Sequence, residues 1–199
     1  MQADFCICTI PLPVLKKIPH NFDAPTKSAI ATARYANSTK VATEYKRRFW
    51  EEDERIFGGI SWTDQPIGQV IYPSHDFFSK SGVLVNYTNG INGQVLAAME
   101  PDKRIQAALG MTAMIHPQAP KEYKSAVTLS WAKVPFSEGA FATWGFTGEG
   151  EPSYQLLCKP QGRLYFAGEH ASRITAWMAG AIESARFAVK QVVIETQHA

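Results

Sequence analysis

A mixed α/β (α+β) fold is expected from this sequence, and three stretches predict it. Near the end of the chain, residues 163–167 (R-L-Y-F-A) are a short apolar, aromatic-rich run between Gly162 and Gly168, the pattern of a buried strand. From Trp177 onward, apolar or small residues recur at Met178, Ile182, Ala185, Val189 and Val193, which is helical spacing. In mid-chain, short β-branched runs are interrupted by an amphipathic segment at 101–115. Strand, Gly-Glu turn, loop and helix thus close the chain, and a sheet with helices fills its middle.

The remaining elements follow in order. Residues 3–10 (A-D-F-C-I-C-T-I) are nearly continuously apolar and stop at Pro11, which predicts a strand buried on both faces. Residues 11–37 read as a connection with one short helix around 26–35. Residues 38–45 (S-T-K-V-A-T-E-Y) are a strand by their β-branched alternation, and 58–62 and 69–73 read as further strands. The run 82–88 (G-V-L-V-N-Y-T) puts Asn86 and Tyr87 on opposite faces of another strand. Pro101 in the first turn opens a helix over 101–115 with Ile105, Leu109 and Thr112 on one face. Residues 127–134 (V-T-L-S-W-A-K-V) are strand-like, 139–146 an aromatic-rich loop, and 148–152 (G-E-G-E-P) turn chemistry at the surface.

Composition narrows the function. A chain of 199 residues, 45% hydrophobic, can bury a sizeable core. A formal net charge of +2 makes no electrostatic case for nucleic acid or an acidic membrane surface. No apolar run approaches the roughly 20 residues of a membrane span. Met1 to Phe5 has no basic segment of a signal peptide, so the compartment stays unknown, with cytoplasm the default expectation. Cys6, Cys8 and Cys158 make no disulfide framework and too small a set for a metal, and are expected to be reduced, buried, small hydrophobes.

The run Y-F-A-G-E-H-A-S at 165–172, followed by W-M-A-G-A-I-E-S-A at 177–185, closely resembles the C-terminal flavin-binding signature of the flavin amine oxidases, the family of monoamine, polyamine and L-amino-acid oxidases. The resemblance implies FAD as cofactor. It implies that 1–12 and 155–199 form the C-terminal part of a Rossmann-like FAD-binding domain, that 38–145 form a substrate-binding domain with a mixed β-sheet and helices, and that 13–37 connect them. It places Gly168 and Glu169 beside the ribityl and pyrophosphate groups, the helix start at Trp177, Met178 and Ala181 against the pyrimidine end of the ring, and Trp131 near the flavin edge. T-K-V at 39–41, with F-W after the strand, matches the segment whose lysine reaches the flavin N5 through a water, which makes Lys40 the catalytic candidate. On residue type alone, Lys40 reads as a solvated strand lysine and Trp131 as a core aromatic.

Among subfamilies, F-W-E-E-D, G-G-I-S-W-T-D-Q-P, Q-V-I-Y-P-S-H and G-V-L-V-N-Y-T-N-G look most like L-amino-acid oxidases. That likeness gives Tyr87 the substrate α-carboxylate, Trp177 and Phe141 the aromatic walls of the substrate cavity, and the Ala176 carbonyl the substrate amine. Tyr87 also suits cross-strand packing, and His170 reads as a structural hydrogen-bonding residue. The implied reaction is oxidative deamination of an L-amino acid to a 2-oxo acid, ammonia and hydrogen peroxide. The alternatives are a monoamine or polyamine oxidase fragment and a non-catalytic structural partner. No G-x-G-x-x-G follows a strand, so the N-terminal half that would seat the FAD pyrophosphate is absent, and the chain alone is expected to be inactive and not to retain FAD. Expected partners are an L-amino acid or amine substrate, the N-terminal half as a separate chain or upstream sequence, and a second copy in a homodimer. Neither nucleic acid nor a membrane is expected.

Overall fold

A computed structural model describes residues 2–145 and 150–197. The chain divides into two units, residues 37–134 and residues 1–36 with 135–199. The segments 13–36 and 135–145 thus fall in the second of these.

The unit at 37–134 is built on five antiparallel strands, β3 Ser38–Tyr45, β4 Gly59–Trp62, β5 Gln69–Tyr72, β6 Gly82–Asn89 and β7 Tyr123–Ser130, in the order β4-β5-β6-β3-β7. Alternation sorts their side chains. Thr39, Val41, Thr43 and Tyr45 of β3 and Leu84, Asn86 and Thr88 of β6 are buried on the face packed by helices α4 Gly90–Ala98 and α5 Pro101–Ile115. The short helix α3 Phe49–Glu52 sinks Phe49 and Trp50 into this core, edge-on to Tyr45 at 5.1 and 6.0 Å. Buried Arg104 on α5 donates to the carbonyls of Leu96, Ala97 and Met99, answering the orphan acceptors at the end of α4. The buried stripe of α5 is therefore Arg104, Ala108 and Thr112, with Ile105 and Leu109 only half-buried beside it. The expected strand at 127–134 starts earlier and stops at Ser130; Trp131–Lys133 turn as a 3₁₀ segment, and a four-residue helix α6 Ala119–Glu122 precedes β7.

The other unit holds two strand pairs. Strand β1 Cys6–Cys8 runs parallel to β9 Leu164–Phe166, and β2 Arg34–Ala36 runs antiparallel to β8 Phe141–Thr143. β1 is much shorter than the apolar run at 3–10, and it is not buried on both faces: Cys6 is exposed and only Cys8 is buried. None of the three cysteines is in a disulfide, and Cys158 is half-buried, so of the three expected buried thiols one is buried. Helices α1 Leu12–Leu15, α2 Ala24–Thr32, α7 Gly150–Leu157 and α8 Met178–Gln197 complete the unit. Helix α2 ends before the predicted 35 because Arg34–Ala36 pair with β8, and Asp23 caps its start by accepting from the Thr26 N–H at 2.8 Å. The predicted loop at 139–146 thus contains a strand, with Phe146 outside the described residues. The predicted turn at 148–152 becomes helix from Gly150, its first two residues likewise lying outside them.

Leu12, Ile30, Trp144, Leu157 and Phe166 gather in one core. Helix α8 buries small residues, Gly180, Ser184 and Ala188, the last of them packed with Tyr165 and Ala167. A Cβ at Gly180 would stand 2.0 Å from the Ile174 carbonyl oxygen, so the helix meets its own entry loop only through glycine. Among the described residues no helix is long and apolar enough to cross a membrane.

Candidate functional site

The unit at 37–134 brings two of the sequence candidates together. Lys40 and Tyr87 are cross-strand partners of β3 and β6, on the sheet face opposite the helices. The Lys40 ammonium lies 5.2 Å from the centre of the Tyr87 ring, a cation–π contact. Lys40 is exposed and Tyr87 half-buried. The Tyr87 hydroxyl has no hydrogen-bond partner, and Lys40 no ion pair, among the described residues. The same row continues through Gln69 to Trp62 on one side and to Leu129 on the other. A cation beside a phenol with a free donor is an arrangement that suits a carboxylate. Trp131, half-buried in the 3₁₀ turn after β7, belongs to this unit as well.

On the other unit, Glu169 holds the candidate segments. Its Oε1 accepts from the Ala142 N–H and its Oε2 from the Ala176 N–H, each at 2.9 Å. Ala142 follows Phe141 in β8, and Ala176 precedes Trp177. Burial pushes the Glu169 carboxyl above the ordinary carboxylate range, while the two N–H groups pull it partly back. Ala176 sits at φ +68°, and its turn sends the chain into α8 with Trp177 and Met178 standing free, 69% and 84% exposed. Phe141 and Ala181 are half-buried.

Gly168 is closely approached by the groups around it. It has φ +135°, the space a Cβ would take lies 2.6 Å from the His170 ring, and Ser184 Oγ lies 2.9 Å from its N and 2.8 Å from its O. Its close neighbours are therefore the protein's own groups. His170 is 3% exposed, burial pushes its imidazole down to about 4, and its carbonyl accepts from the Trp144 indole N–H at 2.9 Å. It is neutral at neutral pH, in keeping with a structural role.

A flat ring with an anionic edge fits the start of α8. The first-turn N–H groups of Met178 and Ala179 have no intrahelical acceptors, the helix dipole favours negative charge there, and Trp177, Met178 and Ala179 are exposed. Among the described residues no group of three or more His, Cys, Asp or Glu could hold a metal ion.

One buried polar chain escaped the sequence reading. His116 lies between Glu54 (Nδ1 to Oε1, 2.9 Å) and Tyr72 (Nε2 to OH, 2.7 Å), and the Tyr72 hydroxyl is 2.9 Å from Ser61 Oγ. Its members are spread from 54 to 116, so no local motif announces it. It ties strands β4 and β5 to the end of α5.

Comparisons with known proteins agree with the signature. Residues 1–193 match the family model described as flavin containing amine oxidoreductase. The chain is 35% identical over 199 residues to the flavin-dependent L-tryptophan oxidase RebO of Lentzea aerocolonigenes, covering 96% of this chain and 42% of that protein. It is 36% identical over 162 residues to an L-amino-acid oxidase of Siganus canaliculatus, covering 79% of this chain and 30% of that protein. Among solved structures, cyclohexylamine oxidase from Brevibacterium oxydans IH-35A superposes with a TM-score of 0.78 at 19% identity, over 97% of this chain and 43% of that one. A putrescine oxidase mutant from a redesign of cofactor binding reaches 0.83 at 15% identity, over 96% and 43%. The chain thus spans less than half the length of each of these proteins.

Proposed function

We propose that this chain, which belongs to the family of flavin containing amine oxidoreductases, is the C-terminal portion of an L-amino-acid oxidase. The observation that carries the reading is the Lys40–Tyr87 pair on the open sheet face, in a chain whose relatives at 35% and 36% identity are named for the oxidation of L-tryptophan and L-amino acids. The cofactor proposed is FAD, which when bound would accept a hydride from the substrate Cα and pass the electrons to dioxygen.

The chain's own residues take the remaining roles. The Tyr87 hydroxyl donates to the substrate α-carboxylate, and Lys40 supplies a nearby positive charge where peroxide forms. In the other unit, Phe141 and Trp177 exclude water from the substrate, the Ala176 carbonyl accepts from its amine, and the start of α8 favours the anionic edge of the ring. His170 takes no proton in this scheme. Water hydrolyses the imino acid to the 2-oxo acid and ammonia.

The partner proposed is the remainder of the family fold, on the same or a separate chain. What supports it is the share of its relatives that this chain spans, together with an uncovered apolar stripe on α8: Met178, Ile182, Val189 and Val193 are 84%, 59%, 51% and 47% exposed. Without that partner the chain is expected not to retain FAD. The test is peroxide formation by the assembled protein, with a panel of L-amino acids set against their decarboxylated amines. Turnover of amines alone would favour a monoamine or polyamine oxidase, and no bound flavin in the assembled protein would favour a structural partner.

A further inference from the structure

We propose that Glu169 is a positioning residue for the two aromatic walls of its unit: one carboxylate fixes the backbone that carries Phe141 and the backbone that launches Trp177. The inference deepens the functional reading and rests on it for what the walls do, while the clamp itself stands on geometry alone. In β8, Ala142 faces Tyr35 of β2, yet its N–H goes to Glu169 Oε1 at 2.9 Å. The carboxylate therefore occupies the free side of β8, where a third strand would otherwise bond. Its other oxygen takes the N–H of Ala176, an alanine held at φ +68°, a conformation L-residues rarely adopt. That turn sets the direction in which Trp177 leaves for α8. Among the described residues Glu169 has no ion pair, and the hydrogen-bond donors that its carboxylate meets are these two backbone N–H groups.

The arrangement needs two acceptor oxygens at glutamate length. A glutamine would turn its NH₂ toward one of the two N–H donors and lose that bond, and an aspartate is one methylene too short to span both. Each oxygen keeps a second lone pair, so the clamp leaves room for a ligand hydroxyl on the same carboxylate.

The experiment is amide hydrogen exchange by NMR on the isotopically labelled chain, read at Ala142 and Ala176. In the unmodified protein both amides are expected to exchange at least about tenfold more slowly than those of Met178 and Ala179, which lack intrahelical acceptors. Ala176 exchanging as freely as those two would overturn the clamp without any substitution. In Glu169→Gln, one of the two amides is expected to speed up by about tenfold while the other stays protected. Both amides unchanged would overturn the proposal. In the assembled oxidase, Glu169→Gln is expected to raise KM for the amino acid with the bound-flavin absorbance retained. Loss of flavin with both amides still protected would assign Glu169 to the cofactor instead. Absence of oxidase activity in the unsubstituted assembly would sink the functional reading while the exchange data still decide the clamp.

Discussion

Lys40 and Tyr87 face each other across β3 and β6, ammonium over ring at 5.2 Å, on the side of the sheet that no helix of their unit covers. The register of two strands sets this pair: Ser38 meets Asn89, and each step along β3 is matched by one step back along β6. A one-residue slip would move Tyr87 to the helix-packed face, where Asn86 now bonds Thr112 at 3.1 Å. Asn86-Tyr87-Thr88 has the N-x-T pattern of a glycosylation sequon, and the burial of Asn86 leaves no room for a glycan there.

Lys40→Met tests the lysine. The contact with Tyr87 is at the surface, so the loss in stability should stay below about 1 kcal/mol. In the assembled oxidase, kcat/KM for dioxygen should fall by on the order of a hundredfold, with kcat/KM for the amino acid nearly unchanged. Steady-state rates at varied oxygen measure both. Equal oxygen dependence in the two proteins would remove Lys40 from the chemistry.

His170 gives the fold a pH dependence of known sign. Its folded pKa of about 4 lies below the ordinary 6.5, so the unfolded chain binds more protons between these values. Its contribution is fully present above about pH 6.5 and is lost as pH falls toward 4, amounting to roughly 3 kcal/mol. Glu169, raised by burial, acts in the opposite direction: its contribution is full below its unfolded pKa and is lost as pH rises through the folded one. Denaturant midpoints from pH 7 to 4.5 should therefore decline, and His170→Leu should decline less. A parallel decline in the variant would show that other groups set the slope.

The outer stripe of α8 is expected to serve association. Val189→Glu with Val193→Glu changes exposed positions, so each should alter stability by no more than about 0.5 kcal/mol. Flavin retention by the assembled protein should nevertheless be lost. Unchanged flavin content, measured by absorbance after gel filtration, would mean that this face meets no partner.

What the sequence disclosed follows from the range of the forces involved. Strands β3 and β6 were legible because β-branched alternation is local, and α5 because its proline start and apolar period lie within 15 residues. Helix α4 was hidden by Gly90 and Gly93, which argue against a helix; Gly93 is kept by a close approach, since a Cβ there would stand 2.7 Å from the Asn37 carbonyl. Strand β8 is three residues long and exists by pairing with β2, more than 100 positions earlier, so no local pattern marks it. The signature at 165–172 located Glu169, but its hold on Ala142 was invisible because backbone N–H groups carry no sequence label. For α8, helical spacing predicted the helix correctly and said nothing of which side would be covered: the small residues face the protein and the large apolar ones face outward.

The most direct measurement is kcat/KM for an L-amino acid and for its decarboxylated amine, in the assembled protein and in Tyr87→Phe. If the Tyr87 hydroxyl donates to the α-carboxylate, the variant should lose roughly ten- to a hundredfold on the amino acid, mainly through KM, the worth of a hydrogen bond to a charged group of about 1.5–3 kcal/mol. The amine, which has no carboxylate, should be nearly unaffected. Equal losses on both substrates, or on neither, would make Tyr87 a packing residue and contradict the assignment to L-amino acids.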